Sequence, residues 1–295
     1  MKTNLEGKYC LITGATSGVG RAAAGELARM GANVLGIGRD SNRCAEAKSE
    51  IQNASGNPNV TFFVADLSDM DQIHRLVVEI DSACERIDVL INNAGAFFLR
   101  RRLSKQGFEM TWALNHLNYF LLTNLLLDRI TGHPHARIIN VASGSHYQGT
   151  INFEDINLER GYSGWKAYSQ SKLANVLFTY ELDRRLSNQE VTVNALTPGF
   201  VATRIGHNNG KFIAFLVRLV QKAGGKTPEQ GAETIIYLAA SPEVEGVSGK
   251  YFVEKQAVES SLLSYDLEVA RRLWEMSEVL TGSTPGKNLP PVYRA

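Results

Sequence analysis

The sequence predicts an α/β fold: a single doubly wound sheet of about seven parallel strands, flanked by helices on both faces. Two observations carry this expectation. Short β-rich runs alternate with helix-length segments from one end of the chain to the other. Most of those runs are near-continuously apolar, as parallel strands covered on both sides require. No Pro/Gly/Ser-rich linker, repeat or low-complexity tract interrupts the rhythm, so one layered unit is expected rather than two.

The strands are placed at Lys8–Thr13, Asn33–Ile37, Val60–Val64, Val89–Asn92, Arg137–Val141, Val191–Ala195 and Lys250–Val253. Helical patterns fall between them at Arg21–Met30, Asp69–Ala83, Thr111–Leu127 and Ala174–Leu186. Strand–helix–strand units of this kind cross over right-handedly. Residues 1–281 form the expected domain, and 282–295, with Pro285, Pro290 and Pro291, read as an extended C-terminal tail.

Composition narrows the function. A formal net charge of +1 over 295 residues supplies no global field for nucleic acid or an anionic membrane. Cys10, Cys44 and Cys84 are odd in number and lack metal-ligand spacing, so no metal is expected. They read as small buried hydrophobes in a reducing compartment. No signal peptide fits ahead of the first strand, near Tyr9. The apolar stretch from Phe212 to Val220 is broken by Arg218 and falls far short of the ~20 residues that span a bilayer. The expectation is a soluble, cytoplasmic protein.

The first strand runs into Thr13-Gly14-Ala15-Thr16-Ser17-Gly18-Val19-Gly20 and then a helix. Such a turn arises for steric reasons too, but the strand–turn–helix context points to a dinucleotide. Glycines let the backbone approach a pyrophosphate, and the helix N-terminus offers it N–H groups and partial positive charge. Gly14, Thr16, Ser17, Gly18, Val19 and Gly20 are the candidates, and the fold becomes Rossmann-type. At the end of the second strand an acid would hold a ribose 2′-hydroxyl in an NAD site. Here Gly38 occupies that place and Arg39 follows, suited to clasping the 2′-phosphate of NADP(H). Asp66-Leu67 and Asn93-Ala94-Gly95, after the third and fourth strands, supply an adenine and ribose wall.

A tyrosine with a lysine four residues later shares a helix face. The ammonium should then pull the phenol below its usual pKa of about 10, making a general acid for carbonyl reduction and a base for alcohol oxidation. The spacing occurs at Tyr162/Lys166, Tyr168/Lys172 and Tyr251/Lys255. Tyr251 belongs to a strand, and Tyr162 is flanked by Gly161 and Gly164. Only Tyr168/Lys172 leads into a sustained helical pattern. Ser143, at the carboxyl end of the fifth strand, is placed to donate to a substrate oxygen, with Ser145 a nearby competitor. Asn115, polar inside an apolar helix, either bonds locally or holds a water that relays protons to Lys172.

These pieces together resemble the classical short-chain dehydrogenase/reductase family. The matching segments are TGATSGVG, the DL pair at 66–67, NNAG at 92–95, Asn115, Ser143, YSQSK at 168–172 and PG at 198–199. They cover roughly residues 6 to 255 in the family's order. The resemblance implies a catalytic tetrad of Asn115, Ser143, Tyr168 and Lys172. It also implies that Lys172 touches the nicotinamide ribose, and that Pro198, Gly199, Val201 and Thr203 border the nicotinamide. NHLNYFLLTNLLLD, SKLANVLFTYEL and SGKYF are similar to the retinol dehydrogenase-like branch, which also holds protochlorophyllide reductases. A light-dependent tetrapyrrole double-bond reductase and an NADP-binding sensor or scaffold without turnover stand as alternatives.

Two segments should shape a substrate pocket, residues 144–166 and 204–226. The first carries Ser145, Tyr147, Tyr162 and Trp165; in the second Phe212 and Phe215 fall on one helical face. That helix reads as packed on the body, as a lid, or as a membrane-surface contact. With Phe97 and Phe98 after NNAG, these residues point to a bulky hydrophobic aldehyde, ketone or alcohol. A homo-oligomer pairing the helices after residues 111 and 168 is compatible with the pattern.

Overall fold

Successive side chains of a strand point to opposite faces, and the core divides accordingly. In β1 (Tyr9–Thr13) and β4 (Val89–Asn92), Leu11 and Leu90 enter one hydrophobic layer. Cys10, Ile12, Val89 and Ile91 enter the other. Both faces are therefore apolar and both are covered. In the computed structural model, which describes residues 4–187, 190–201 and 225–283, the sheet has eight strands. Their order is β3-β2-β1-β4-β5-β6-β7-β8. The remaining strands are β2 (Asn33–Gly38), β3 (Val60–Val64), β5 (Ala136–Val141), β6 (Val191–Thr197), β7 (Lys250–Val253) and β8 (Gln256–Val258).

The seven expected strands are parallel, with ends within two residues of their expected positions. The eighth was not expected. It returns antiparallel on β7 through a turn in which Glu254 and Lys255 both have positive φ, 49° and 66°. Three exposed residues without alternating hydrophobicity give a sequence reading no strand signal there.

On one face, α1 (Gly18–Arg29) lays Ala23, Ala24 and Leu27 beside α7 (Pro228–Ala240), whose Ile235 and Leu238 share the layer. The other face holds α3 (Met70–Ala83), α4 (Met110–Trp112 continuing as Asn118–Leu125), α6 (Gly164–Arg185) and α8 (Leu267–Thr281). Trp274 of α8 stacks on Phe178 of α6, ring centroids 5.7 Å apart, and Arg185 covers it at 4.2 Å. α2 (Ser41–Ser55) packs against β3, and the short α5 (Leu127–Thr131) precedes β5.

Two helices depart from expectation. α4 runs as Met110–Trp112, widens into a π-helical turn over Ala113–Leu117, and resumes as Asn118–Leu125. α6 begins at Gly164, ahead of the expected Ala174, because Ser163 caps it by accepting from the Lys166 N–H. Tyr168 and Lys172 consequently lie within the helix, on one face. The strand order reverses beside β1, and the crevice there opens outside the carboxyl ends of β1 and β4, where ligands bind in such sheets.

Candidate active site

A cleft of about 1060 Å³ fills that crevice. Its floor is backbone. Gly14 and Gly18 turn with positive φ, 69° and 56°. A Cβ on Gly20 would stand 2.5 Å from both the Asn93 Nδ2 and the Gly14 carbonyl, so the turn closes only with glycine there. Asn93 locks the floor by donating Nδ2–H to the Thr13 carbonyl at 2.8 Å. The Asn93 and Ala94 N–H groups both donate to Thr13 Oγ1, each at 2.8 Å. Ser17 stands at the N-cap of α1 without a side-chain cap, leaving first-turn N–H groups for an anion. The cradle fits the pyrophosphate of a dinucleotide.

Arg39 and Arg43 stand on the same cleft, with Asp66 and Leu67 on the adjoining wall. Gly38 is enforced by packing, since a Cβ there would meet the Thr16 methyl group and Cys44 Sγ. Asp40 caps α2 by accepting from the Arg43 N–H at 2.9 Å. The one acid near the end of β2 is thus engaged in helix capping. Arg43 escaped the sequence reading, because a charged residue in a helix's first turn carries no motif.

At the other end of the cleft Tyr168 is half-buried, and Ser143 hydrogen-bonds its phenol. Burial pushes the phenol up to about 12, with the Ser143 bond working against it. Lys172 is 2% exposed and donates Nζ–H to the Val141 carbonyl at 2.9 Å. Its Nζ lies 5.7 Å from the centroids of both the Tyr168 and Tyr119 rings. Burial lowers Lys172 to about 7. This corrects the expectation of an ammonium pulling the phenol down: desolvation dominates both groups and favours their neutral forms.

Asn115 lies in the π turn with its side chain fully buried. Its Nδ2 donates to the Ala96 carbonyl and to Ser171 Oγ, both at 3.0 Å, and its Oδ1 accepts from the Ala96 N–H at 2.9 Å. Both amide hydrogens are spent within the protein, and the side chain fastens the β4 exit to α6. A Cβ on Gly95 would come 3.2 Å from Asn115 Oδ1, so the amide would have to yield by a few tenths of an ångström to admit one.

Gly14, Thr16, Ser17, Gly18, Val19, Gly20, Asn93, Ala94, Gly95, Pro198, Gly199 and Val201 also line the cleft. Of the substrate candidates, Phe97, Ser145 and Trp165 do so. The Phe97 ring meets Tyr168 edge-on with centroids 5.7 Å apart, and Ser145 Oγ is buried without a hydrogen-bond partner among the described residues. Phe98 lines it beside Phe97, and Met110, Leu114 and Phe200 add apolar wall that no motif marked. Tyr147 and Tyr162 stand elsewhere. The Tyr162 hydroxyl donates to the Phe98 carbonyl at 2.9 Å, and that of Tyr147 to the Glu259 carbonyl at 2.5 Å, which turns both away from the cleft. Thr203, Phe212 and Phe215, and the helix expected around them, lie outside the described residues. So does the tail beyond residue 283.

The chain belongs to the short chain dehydrogenase family, which it matches over residues 8–213. It is similar to retinol dehydrogenase 14 of Mus musculus, 45% identical over 290 residues that span 94% of this chain and 87% of that one. Polyprenol dehydrogenase of Homo sapiens is 38% identical over 285 residues, 93% of this chain and 85% of its own. A crystal structure of a protein from Mycobacterium Paratuberculosis superposes with a TM-score of 0.77 at 33% identity, covering 96% of each chain. The protein is accordingly an oxidoreductase of the alcohol–carbonyl type, and the family binds nicotinamide cofactors. No helix among the described residues is long and apolar enough to cross a membrane.

Proposed function

We propose that the protein reduces bulky hydrophobic aldehydes or ketones with NADPH, through Asn115, Ser143, Tyr168 and Lys172. The supporting observation is one cleft with two unlike ends. The glycine cradle with Arg39 and Arg43 forms one end, and Tyr168, Ser143 and an apolar wall form the other. Two guanidiniums suit a 2′-phosphate, and no acid is free to hold a ribose hydroxyl at the end of β2. Phe97, Phe98, Leu114 and Trp165 suit a hydrophobic substrate.

A bound nicotinamide supplies the hydride. The chain supplies the proton and the geometry. Ser143 Oγ holds the substrate oxygen, with Ser145 Oγ beside it, and Tyr168 Oη gives up its proton as negative charge develops there. With burial pushing the phenol up to about 12, Tyr168 is in its donating form at neutral pH. The negative charge left on Tyr168 draws a proton to Lys172, whose amine titrates near neutrality. Asn115 holds Ala96 against α6, fixing the wall opposite the phenol. Alcohol oxidation uses the same groups in reverse.

The test is loss of NADPH absorbance with retinaldehyde, decanal and acetophenone, with NADH in parallel. Turnover preferring NADPH is the expected result. Preference for NADH overturns the reading of Arg39 and Arg43. Silence with every substrate despite NADPH binding favours a nucleotide sensor.

A further inference from the structure

The short 3₁₀ turn after β5, Gly144–Gln148, carries a buried imidazole that the mechanism above does not use. His146 is fully buried. Its ring packs against two aromatic rings, Tyr147 with centroids 4.0 Å away and Tyr251 of β7 at 4.6 Å. Its two nitrogens face different parts of the chain. Nδ1 lies 2.7 Å from the Ser143 carbonyl oxygen, and Nε2 lies 3.1 Å from the backbone nitrogen of Ser261.

The protonation of the ring follows from its partners. A backbone N–H only donates and a carbonyl only accepts. Nε2 must therefore carry the lone pair and Nδ1 the proton. An imidazolium would aim a second N–H at the Ser261 N–H, so the double bridge exists only with the neutral Nδ1–H ring.

We propose that His146 is a positioning residue: as the Nδ1–H tautomer it ties the Ser143 carbonyl to the Ser261 N–H, and so holds the Ser143 hydroxyl against Tyr168. This inference rests on the reading of Ser143 and Tyr168 given under Proposed function.

Ser143 is held through both its carbonyl and its hydroxyl. Its carbonyl accepts from Nδ1–H and from the His146 backbone N–H at 3.1 Å, which occupies both lone pairs. Its Oγ accepts from the Ser145 N–H at 3.3 Å. The segment on the far side of the bridge is itself strapped to α6. The Tyr180 hydroxyl meets Ser260 Oγ at 2.7 Å, and the Ser260 N–H donates to the Tyr265 hydroxyl at 3.1 Å. The Tyr147 hydroxyl adds its bond to the Glu259 carbonyl. His146 thus joins the Ser143 turn to a strap anchored on the helix that carries Tyr168.

Burial pushes the His146 pKa down from the ordinary imidazole value, the Ser143 carbonyl opposing it, which keeps the bridging form through neutral pH. The titratable groups around the ring are Tyr147 on its own turn, Tyr251 on β7, Tyr168 and Tyr180 on α6, and Glu259 and Tyr265 on the strap. Of these only Glu259 is a carboxyl group, and it is exposed. The bridge therefore opens on the acid side, when the ring takes up its second proton.

The test uses the full chain with NADPH and retinaldehyde, and three variants that divide the bridge. His146→Phe keeps a ring against the tyrosines and removes both bonds. His146→Asn reaches the Ser143 carbonyl but falls short of Ser261, and His146→Gln does the opposite. The phenylalanine variant is expected to lose kcat by about 10- to 100-fold, the scale of a displacement of about 1 Å at a reacting group. Its Kd for NADPH should stay within about two-fold of wild type. Asparagine should recover most of kcat, and glutamine should not. The wild-type kcat should fall as the pH drops below the folded pKa of His146, and the asparagine variant should lack that fall. A two-bond ¹⁵N–¹H correlation spectrum should show Nδ1 protonated and Nε2 bare in the resonance that His146→Phe removes.

An Nε2–H ring, or a phenylalanine variant with wild-type kcat, overturns the inference. So do losses in all three variants that merely follow their melting temperatures. Tyr168→Phe, measured beside them, separates the two levels. If it keeps turnover, the proposed function and the bridge fall together. If it abolishes turnover while His146→Phe does not, the bridge alone is wrong.

Discussion

The two ends of the cleft are built from different materials. The dinucleotide end is backbone: glycines at 14, 18 and 20, N–H groups at the start of α1, and Asn93 and Thr13 tying one turn to the next. The chemical end is side chain: a phenol, an amine and a hydroxyl desolvated together, each away from its ordinary protonation behaviour or pinned by several bonds. A backbone site fails through sterics and spares the chemistry. A side-chain site fails through loss of a functional group and spares the shape. Mutation can separate them cleanly.

Tyr168→Phe should give the largest effect. It removes the proton and little volume, so turnover should fall by about 10²- to 10⁴-fold while NADPH affinity, followed by fluorescence, holds within a few-fold. A parallel loss of affinity would show that the ends are not independent.

Lys172→Met tests the desolvation claim without any substrate. The folded amine titrates near 7, whereas an unfolded lysine titrates near its ordinary 10.5. Below pH 7 both states are charged and the fold carries the full penalty of a buried ammonium. As pH rises from about 7 to about 10.5 the folded amine is neutral and the penalty fades, so this residue's contribution to stability improves. Methionine removes the penalty, on the order of a few kcal/mol at pH 6 by the usual ~1.4 kcal/mol per pKa unit. The variant should therefore melt higher than wild type at pH 6, and the gap should close towards pH 10. A gap independent of pH would mean that Lys172 is charged in the fold throughout.

Gly20→Ala breaks the other end. The new methyl must displace the Asn93 amide or the Gly14 carbonyl, an overpacking cost of about 1–3 kcal/mol. NADPH affinity should weaken by about 5- to 100-fold, and turnover at saturating NADPH should survive. If kcat falls as far as affinity does, the cradle also positions the reacting groups.

The smallest shift belongs to Arg39→Ala. Losing one charge-assisted pair should lower the ratio of NADPH to NADH efficiency by about tenfold, with Arg43 retaining part of the preference. An unchanged ratio would remove Arg39 from the site.

Much of the cofactor end was legible in the sequence because backbone sites need glycine at fixed positions, and glycine is visible. The strand–turn–helix context and the Tyr168/Lys172 spacing were readable for the same reason: they are local. What escaped was tertiary. Nothing around Asn115 announces that a π turn aims its amide at Ala96, and nothing in the serine-rich strap after β8 says that it reaches back to His146. The protonation of Tyr168 and Lys172 was misjudged because spacing reports a neighbour, whereas burial depends on everything else that packs around the pair. Tyr147 and Tyr162 looked like pocket residues because aromatics in a loop beside Ser143 resemble a lining until their hydroxyl partners are known.

Gly38 carries a consequence for how this chain can change. An aspartate there, the simplest route towards an NAD-type ribose contact, would drive its Cβ into Thr16 and to within 2.7 Å of Cys44 Sγ. The substitution requires both the Thr16 and the Cys44 side chains to shift, and smaller residues at 16 and 44 would ease it. The ease of that switch is therefore an epistatic trait of positions 16, 38 and 44. An evolving lineage, or a directed selection, would reach it most easily through a neutral or mildly harmful intermediate.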